Sequence, residues 1–372
     1  MGAVSILERS GAAALQREPL PYVTAALPGI GGTLKHVPED FEVEEIPAYE
    51  PCGHGDHLFL WIEKRGLPAD ALVRHVAHIL GLDPRDVGAA GLKDTQAVTR
   101  QYLSVPAIAE AGVQALDTDR IRVLKALRHT NKLKTGHLNG NRFKIKVRDV
   151  AAETYERATQ IVDRLRTLGV PNFFGPQRFG NSGETLAMGL ALLRHERHAA
   201  LDHARPGRRG FLTRLALSAA QSAVFNQYLT ARLNDGLLHT VLLGEVMQVV
   251  ASGGPFVVDN VSRESPRFAA HEIVPAGPMF GPKMRDCRGD AALREASALA
   301  ALSLRREEFD GFGRVMLGTR RANLIWPANL ETTPREEGLE LCFSLPAGAY
   351  ATVVMREIMK GDGEVDAIEA TD

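Results

Sequence analysis

Hydrophobic and polar positions along the chain switch several times between a period of two and a period near 3.6. "DFEVEEIP" alternates, with Phe41, Val43 and Glu45 on one face, which predicts a strand. "HLFLWIEKR" (57–65) reads as a second strand. In "LPADALVRHVAHILG" Pro68 stands where a helix starts, Leu72, Val76 and Ile79 form an apolar stripe, and Gly81 ends it. The run Val98, Arg100, Tyr102, Ser104 alternates again. In "HLNGNRFKIKVRD" the pair Asn139-Gly140 predicts a hairpin turn. After it Phe143, Ile145 and Val147 face one way, and Arg142, Lys144, Lys146 and Arg148 face the other.

Tyr155, Ala158, Ile161, Val162, Leu165 and Leu168 recur at helical spacing, and Gly169 closes that helix. Residues 169–184, "GVPNFFGPQRFGNSGE", are dense in Gly, Pro, Asn and aromatics, so a loop and a domain junction are expected there. A long helical pattern follows from Phe211. Residues 240–290 mix short strands and turns, "GDAALREASALAALSLRREEF" returns to helix, and "LELCFSLPAGAYATVVMREIMKG" reads as strand, turn and final helix. Residues 1 to about 24 read as a loosely ordered extension and the last twelve, with five acids and no bases, as a solvated tail.

At 372 residues, two domains are the default expectation. Three separated cysteines (Cys52, Cys287, Cys342) argue against a disulfide framework and for a reducing compartment. No secretory signal develops ahead of Glu8 and Arg9, and no run of about eighteen uncharged apolar residues exists, so the chain is read as soluble and cytoplasmic, with no membrane partner.

The net charge of −1 hides an asymmetry. Ten of the 44 Lys and Arg lie between Arg120 and Arg148 with no acid among them, leaving 34 bases against 45 acids elsewhere. A solvated face would mix both signs, so this stretch favours a polyanion partner. A basic strand with an apolar back can pack on a core and still face phosphates; the alternative is an exposed edge strand guarded by lysine.

Candidate chemistry is sparse. Gly29, Gly31 and Gly32 read as a turn rather than a phosphate cradle. "CGHGDH" (52–57) has metal-ligand residue types, but no second pair of ligands follows, and a tight loop is the expected reading. Asp94 in "GLKDTQAVTRQ", approached through Gly88, Ala89, Ala90 and Gly91, fits a turn cap, a general base or a nucleophile.

"GLKDTQAVTRQ" resembles the G-x-K-D-x-x-A-x-T-x-Q signature of the tRNA pseudouridine synthase D (TruD) family. "PEDFEVEE" (38–45), "LNGNRFKIKVR" (138–148), "GVPNFFGPQRFG" (169–180), "LSAAQSAVFN" (217–226) and "LPAGAYATVVMRE" (345–357) resemble further blocks of that family, in its order, from about residue 28 to 360. The resemblance implies an enzyme that breaks the N1–C1′ bond of a tRNA uridine and rejoins the base through C5, with no cofactor and no metal. The family's usual target is uridine 13 of the D-arm.

It implies Asp94 as the catalytic carboxylate, acting as nucleophile or as base in an elimination route, with Lys35 as its partner. Lys93 adjoins Asp94, but neighbouring side chains of an extended chain point apart. Phe41, Asn141 and Tyr350 are implied to line the base pocket; read alone, they are equally a core ring, a post-turn residue and a helix-start packing residue. Tyr350 departs from the phenylalanine associated with bacterial members, keeping the ring and adding a hydroxyl. Lys132, Lys134, Arg142, Lys144 and Arg148 would then meet tRNA phosphates, and Gln177, Arg178 and Phe179 would lie near the RNA.

The expected fold is α+β. A discontinuous pseudouridine synthase catalytic domain, residues 25–175 and 325–372, carries a mixed, mainly antiparallel sheet, and an inserted α/β domain, 176–324, closes a positive cleft over the RNA. The expected partner is tRNA, with no obligate protein partner evident. Two other classes compete: a catalytically silent RNA-binding or tRNA-folding protein, and a glycoside hydrolase using Asp94 with Glu44 or Glu45 as an acid pair.

Overall fold

The structure is a computed structural model that describes residues 19–180 and 182–360. Most of the expected N-terminal extension and the acidic tail therefore lie outside the described residues. Among the described residues no helix is long and apolar enough to cross a membrane. The chain divides into two compact units. One holds residues 26–167 and the segment from Trp326 onward; the other holds 168–325 with the described residues ahead of Ala26. The inserted unit starts at Leu168, earlier than the expected residue 176, because the short strand Val170–Pro171 pairs with Leu324–Ile325 at its far end.

The first unit is built on one sheet of eight strands: β1 (Phe41–Pro47), β2 (His57–Arg65), β3 (Gly88–Ala89), β4 (Val98–Pro106), β5 (Ile121–His129), β6 (Leu138–Val147), β7 (Ala328–Arg335) and β8 (Gly338–Pro346). The order is β7-β8-β6-β1-β4-β2-β5, with β3 also paired to β4. The β1–β4 pair is parallel and the others are antiparallel, giving the mixed, mainly antiparallel sheet of an α+β fold. Helices α1 (Ala69–Ile79), α2 (Thr154–Leu168) and α3 (Ala351–Met359) complete it.

One core lies on one face of β2. Leu58, Leu60 and Ile62 pack with Leu103 and Val105 of β4 against Leu72 and Val76 of α1. Each such side chain, withdrawn from water, contributes about 2 kcal/mol. The same alternation continues one step further, to Lys64, which is also fully buried.

The predicted hairpin at Asn139-Gly140 does not form: both residues lie inside β6. Gly140 is needed there for close approach rather than for a turn, since a Cβ would strike the Leu345 carbonyl of β8. Asn139 Nδ2 donates to the Pro47 carbonyl at 3.2 Å, beside a register irregularity in β1. Because β6 is flanked by β1 and β8, it is an interior strand, which removes the guarded-edge alternative.

The second unit carries an antiparallel sheet in the order Thr319–Ala322, Ile273–Met279, Val246–Val249, Pro255–Val257, and a helix at Pro206–Asn234. Helix Val261–Ala269 falls in the stretch expected to hold only short strands and turns. Asn260 caps it by accepting from the Arg263 N–H at 3.0 Å, and Pro266 inside it reads as a helix breaker in the sequence.

Candidate active site

Asp94 lies in the loop between β3 and β4, where the backbone has no ladder to hold it. The small residues leading to it answer a packing demand. A Cβ on Gly88 would strike the Leu133 carbonyl, and the Gly136 N–H donates to the Ala90 carbonyl at 2.8 Å. The segment ahead of β6 is thus laid directly on the approach to Asp94.

Two lysine ammonium groups converge on the Lys93-Asp94 dipeptide, and the dipeptide's own lysine reaches away to Glu45. Lys35 Nζ donates to Asp94 Oδ1 at 3.1 Å. Lys93 Nζ donates to Glu45 Oε2 at 2.8 Å. Lys64 Nζ donates to the Asp94 carbonyl oxygen at 2.6 Å and lies 3.4 Å from that of Lys93. The two side chains of the dipeptide therefore point apart, as an extended chain requires. Of the Lys35–Asp94 pair, the lysine side chain is 3% exposed and the aspartate 24%, so the carboxylate is the accessible partner.

Lys35 is held by the residues before it. The Ile30 and Gly31 N–H groups donate to the Ile358 and Met359 carbonyls at the end of α3, at 3.1 and 2.9 Å. Gly31 and Gly32 take positive φ, and Thr33 exchanges two backbone bonds with Arg148. The glycine cluster is therefore irregular backbone clamped to a helix end. Lys35 itself sits at φ 56° with its ammonium 4.3 Å from the centre of the Phe41 ring.

Phe41 is buried, with Phe143 edge-on at 6.3 Å. It packs under Lys35, so its ring is already engaged within the protein. Asn141 lies on the same sheet face: Phe41 is opposite Ile145, Val43 opposite Phe143 and Glu45 opposite Asn141. Asn141 Oδ1 is buried with no hydrogen-bond partner among the described residues, as are Thr99 Oγ1 and Gln101 Oε1. Tyr350 is half-buried in extended backbone as the N-cap residue of α3, its carbonyl accepting from the Val353 N–H.

The basic front of β6 is a different matter. Arg142 and Lys144 stand opposite Glu44 and Glu42, on the sheet face away from Asn141 and Phe41. Arg142 pairs with Glu44 at 2.6 Å, Lys144 with Glu42 at 3.3 Å and Glu340 at 3.6 Å, and Arg148 with Asp40 at 2.8 Å. Arg100 continues the ladder between Glu42 and Glu63. Glu42 raises the Lys144 pKa, against the effect of burial. Arg142, Lys144 and Arg148 are thus held in ion pairs with neighbouring acids, and Arg142 and Lys144 lie on the sheet face away from Asn141 and Phe41. Of the same run, Lys134 is exposed, and Lys132 Nζ donates to the Arg85 carbonyl.

Gln177, Arg178 and Phe179 belong to the other unit, in the short turn Pro176–Phe179. Phe179 is buried, and Arg178 donates to Ser218 Oγ and, at 3.3 Å, to Ser222 Oγ of the long helix. The Gln177 side chain lies outside the described residues. "CGHGDH" is a tight loop, Gly53 N–H donating to the Arg128 carbonyl at 2.9 Å. Among the described residues no group of three His, Cys, Asp or Glu is placed to hold a metal ion.

The acid-pair reading loses its second acid. Glu45 is buried against Lys93, and Glu44 is on the opposite face with Arg142. Lys64 was not foreseen as a site residue: it continues the buried face of Leu58, Leu60 and Ile62, but the apolar run Leu58 to Ile62 marks neither face as inward in the sequence.

Comparison with known proteins bears on the family and the fold. The family model described as tRNA pseudouridine synthase D (TruD) matches residues 20–204 and 210–358. The chain is 46% identical over 346 residues to the tRNA pseudouridine synthase D of Anaeromyxobacter dehalogenans (strain 2CP-1), covering 93% of this chain and 98% of that protein. It is 39% identical over 354 residues to the protein of that name from Thermus thermophilus, covering 95% of each. A crystal structure from Methanosarcina mazei, titled for the same family, shares the fold with a TM-score of 0.73 at 24% identity, over 92% of this chain and 96% of that one. The chain belongs to the tRNA pseudouridine synthase D (TruD) family.

Proposed function

We propose that the protein isomerises a uridine of tRNA to pseudouridine, at position 13 of the D-arm, through the carboxylate of Asp94 and without a cofactor. The observation that carries this is the pairing of a partly exposed Asp94 carboxylate with a buried Lys35 ammonium at 3.1 Å. A carboxylate is ionised at neutral pH, so what it needs from the protein is aim.

In the reaction the N1–C1′ bond breaks, the uracil turns, and C5 bonds to C1′. C5 gives up its proton and N1 gains one, so the atoms balance within the nucleoside and no redox partner is called for. Asp94 attacks the sugar or takes a proton from it; Lys35 holds the carboxylate, and Phe41 holds Lys35. The target uridine has to leave its stack, at a cost of a few kcal/mol. Asn141 Oδ1 offers an acceptor to the uracil N3–H, and the Tyr350 ring offers a stacking surface. Phosphate contact from the basic run is assigned to exposed Lys134 rather than to Arg142, Lys144 and Arg148.

The test is tritium release from tRNA labelled at uridine C5. The parent releases tritium and Asp94→Asn, still binding tRNA, does not. Absence of release from any tRNA by a folded, tRNA-binding parent would leave the silent RNA-binding reading instead.

A further inference from the structure

Lys64 places a fully buried ammonium at the end of the inward face of β2, after Leu58, Leu60 and Ile62. Taking an ammonium out of water is costly unless its donors are met. Here they are met by main-chain carbonyls: Leu67 at 2.7 Å, Asp94 at 2.6 Å and, more distantly, Lys93 at 3.4 Å. Two of the three belong to the dipeptide that carries the proposed catalytic carboxylate. The third, Leu67, lies in the short link between β2 and α1, so one side chain ties that link to the Asp94 loop.

We infer that Lys64 is a positioning residue for the reaction, acting on Asp94 through the main chain and never touching the uridine. The inference rests on the reading of Asp94 as the catalytic carboxylate. Asp94 sits in irregular backbone, and its side-chain partner Lys35 stands on another irregular segment. The carboxylate therefore inherits whatever freedom its own backbone has. Glu45 restrains the neighbouring Lys93 side chain, but only Lys64 grips the Asp94 carbonyl in the hydrogen bonds described above. Misplacement of a reacting group by about 1 Å costs on the order of a hundredfold in rate. Loss of the Lys64 ammonium should therefore appear in the chemical step and leave tRNA binding alone.

The experiment compares the parent, Lys64→Met and Lys64→Gln in single-turnover tritium release at saturating C5-labelled tRNA, with tRNA affinity measured separately. Lys64→Met keeps the length of the side chain and removes its donors; Lys64→Gln keeps an amide donor. The expected result is a rate about a hundredfold lower for Lys64→Met, a smaller loss for Lys64→Gln, and tRNA affinity within about twofold of the parent for both. In Lys64→Ala, added ethylamine should restore rate in a saturable way, while Asp94→Asn should gain nothing from it. A folded Lys64→Met whose rate stays within about threefold of the parent overturns the inference. So does a loss confined to tRNA affinity, and so does failure of both variants to fold, which would make Lys64 a residue of the fold alone. A parent that releases no tritium fails at the earlier step and overturns the Asp94 reading itself.

Discussion

Replacing Lys35 by Met removes the ammonium facing Asp94 while keeping an unbranched side chain of similar length at the positive φ that Lys35 already adopts. Two charges 3.1 Å apart attract by about 5 kcal/mol at an effective dielectric constant near 20. That gross figure is not what the variant loses. Asp94 is 24% exposed, so water enters beside the carboxylate and offsets roughly half, leaving about 2–3 kcal/mol. The ammonium's position over the Phe41 ring contributes about 0.5–1 kcal/mol more, by the usual size of such contacts, and Met regains part of that through its own packing. If the lost energy is aim of the carboxylate in the transition state, the single-turnover rate falls about 30- to 150-fold. The assay is tritium release at saturating C5-labelled tRNA, with melting temperature and tRNA affinity measured on the same samples. A folded Lys35→Met that turns over within about threefold of the parent would refute the reasoning, because Asp94 would then be held without its ion pair.

Further outcomes follow from the same geometry. Arg142→Ala and Lys144→Ala should leave tRNA affinity and its salt slope within about twofold of the parent, and unfolding free energy within about 1 kcal/mol, since both are exposed ion-pair partners on the face away from Asn141. Filter binding at two salt concentrations checks the first and denaturant unfolding the second. Gly140→Ala should cost about 2–4 kcal/mol and lower the melting temperature, because its Cβ meets the Leu345 carbonyl of a paired strand. Burial, with His54 and His57 nearby, holds the His129 pKa below its ordinary value, so the folded state disfavours its protonation. Its stabilising contribution is complete above about pH 6.5 and is lost as the pH falls below that value. Melting temperature followed from pH 7.5 to 5.5 should therefore drop more steeply for the parent than for His129→Gln.

How much of this was written in the chain depends on whether the deciding partner was local. The alternation of residues 41–45, the apolar strand 57–65 and the helix over Leu72 and Val76 were legible because each is a pattern within a few residues, although Ile79, expected on the same stripe, is exposed. The turn after Pro346 and the helix beyond Tyr350 were legible for the same reason. Asn139-Gly140 misled because the same dipeptide serves a turn or a close strand contact, and the choice lay with Leu345, far away in sequence. The basic face of β6 looked unopposed for a related reason. Its counter-charges, Glu42, Glu44 and Glu340 from neighbouring strands and Glu337 from the turn between β7 and β8, are brought alongside only by the sheet order.

At the site, Asp94 and Lys35 came from family position, and nothing in the spacing of residues 35 and 94 would have joined them. Lys64 shows the reverse case. Its strand was readable, but the apolar run Leu58 to Ile62 marks neither face as inward, and what a buried ammonium would hold depended on where the Asp94 loop runs.

The most direct measurement of the central claim is the pseudouridine content of tRNA after a single turnover, read by chromatography of its nuclease digest, for the parent and for Asp94→Asn at concentrations that bind tRNA equally. The account predicts one pseudouridine per tRNA, at position 13, from the parent and none from the variant. Pseudouridine formed by Asp94→Asn at a rate near the parent's would contradict it.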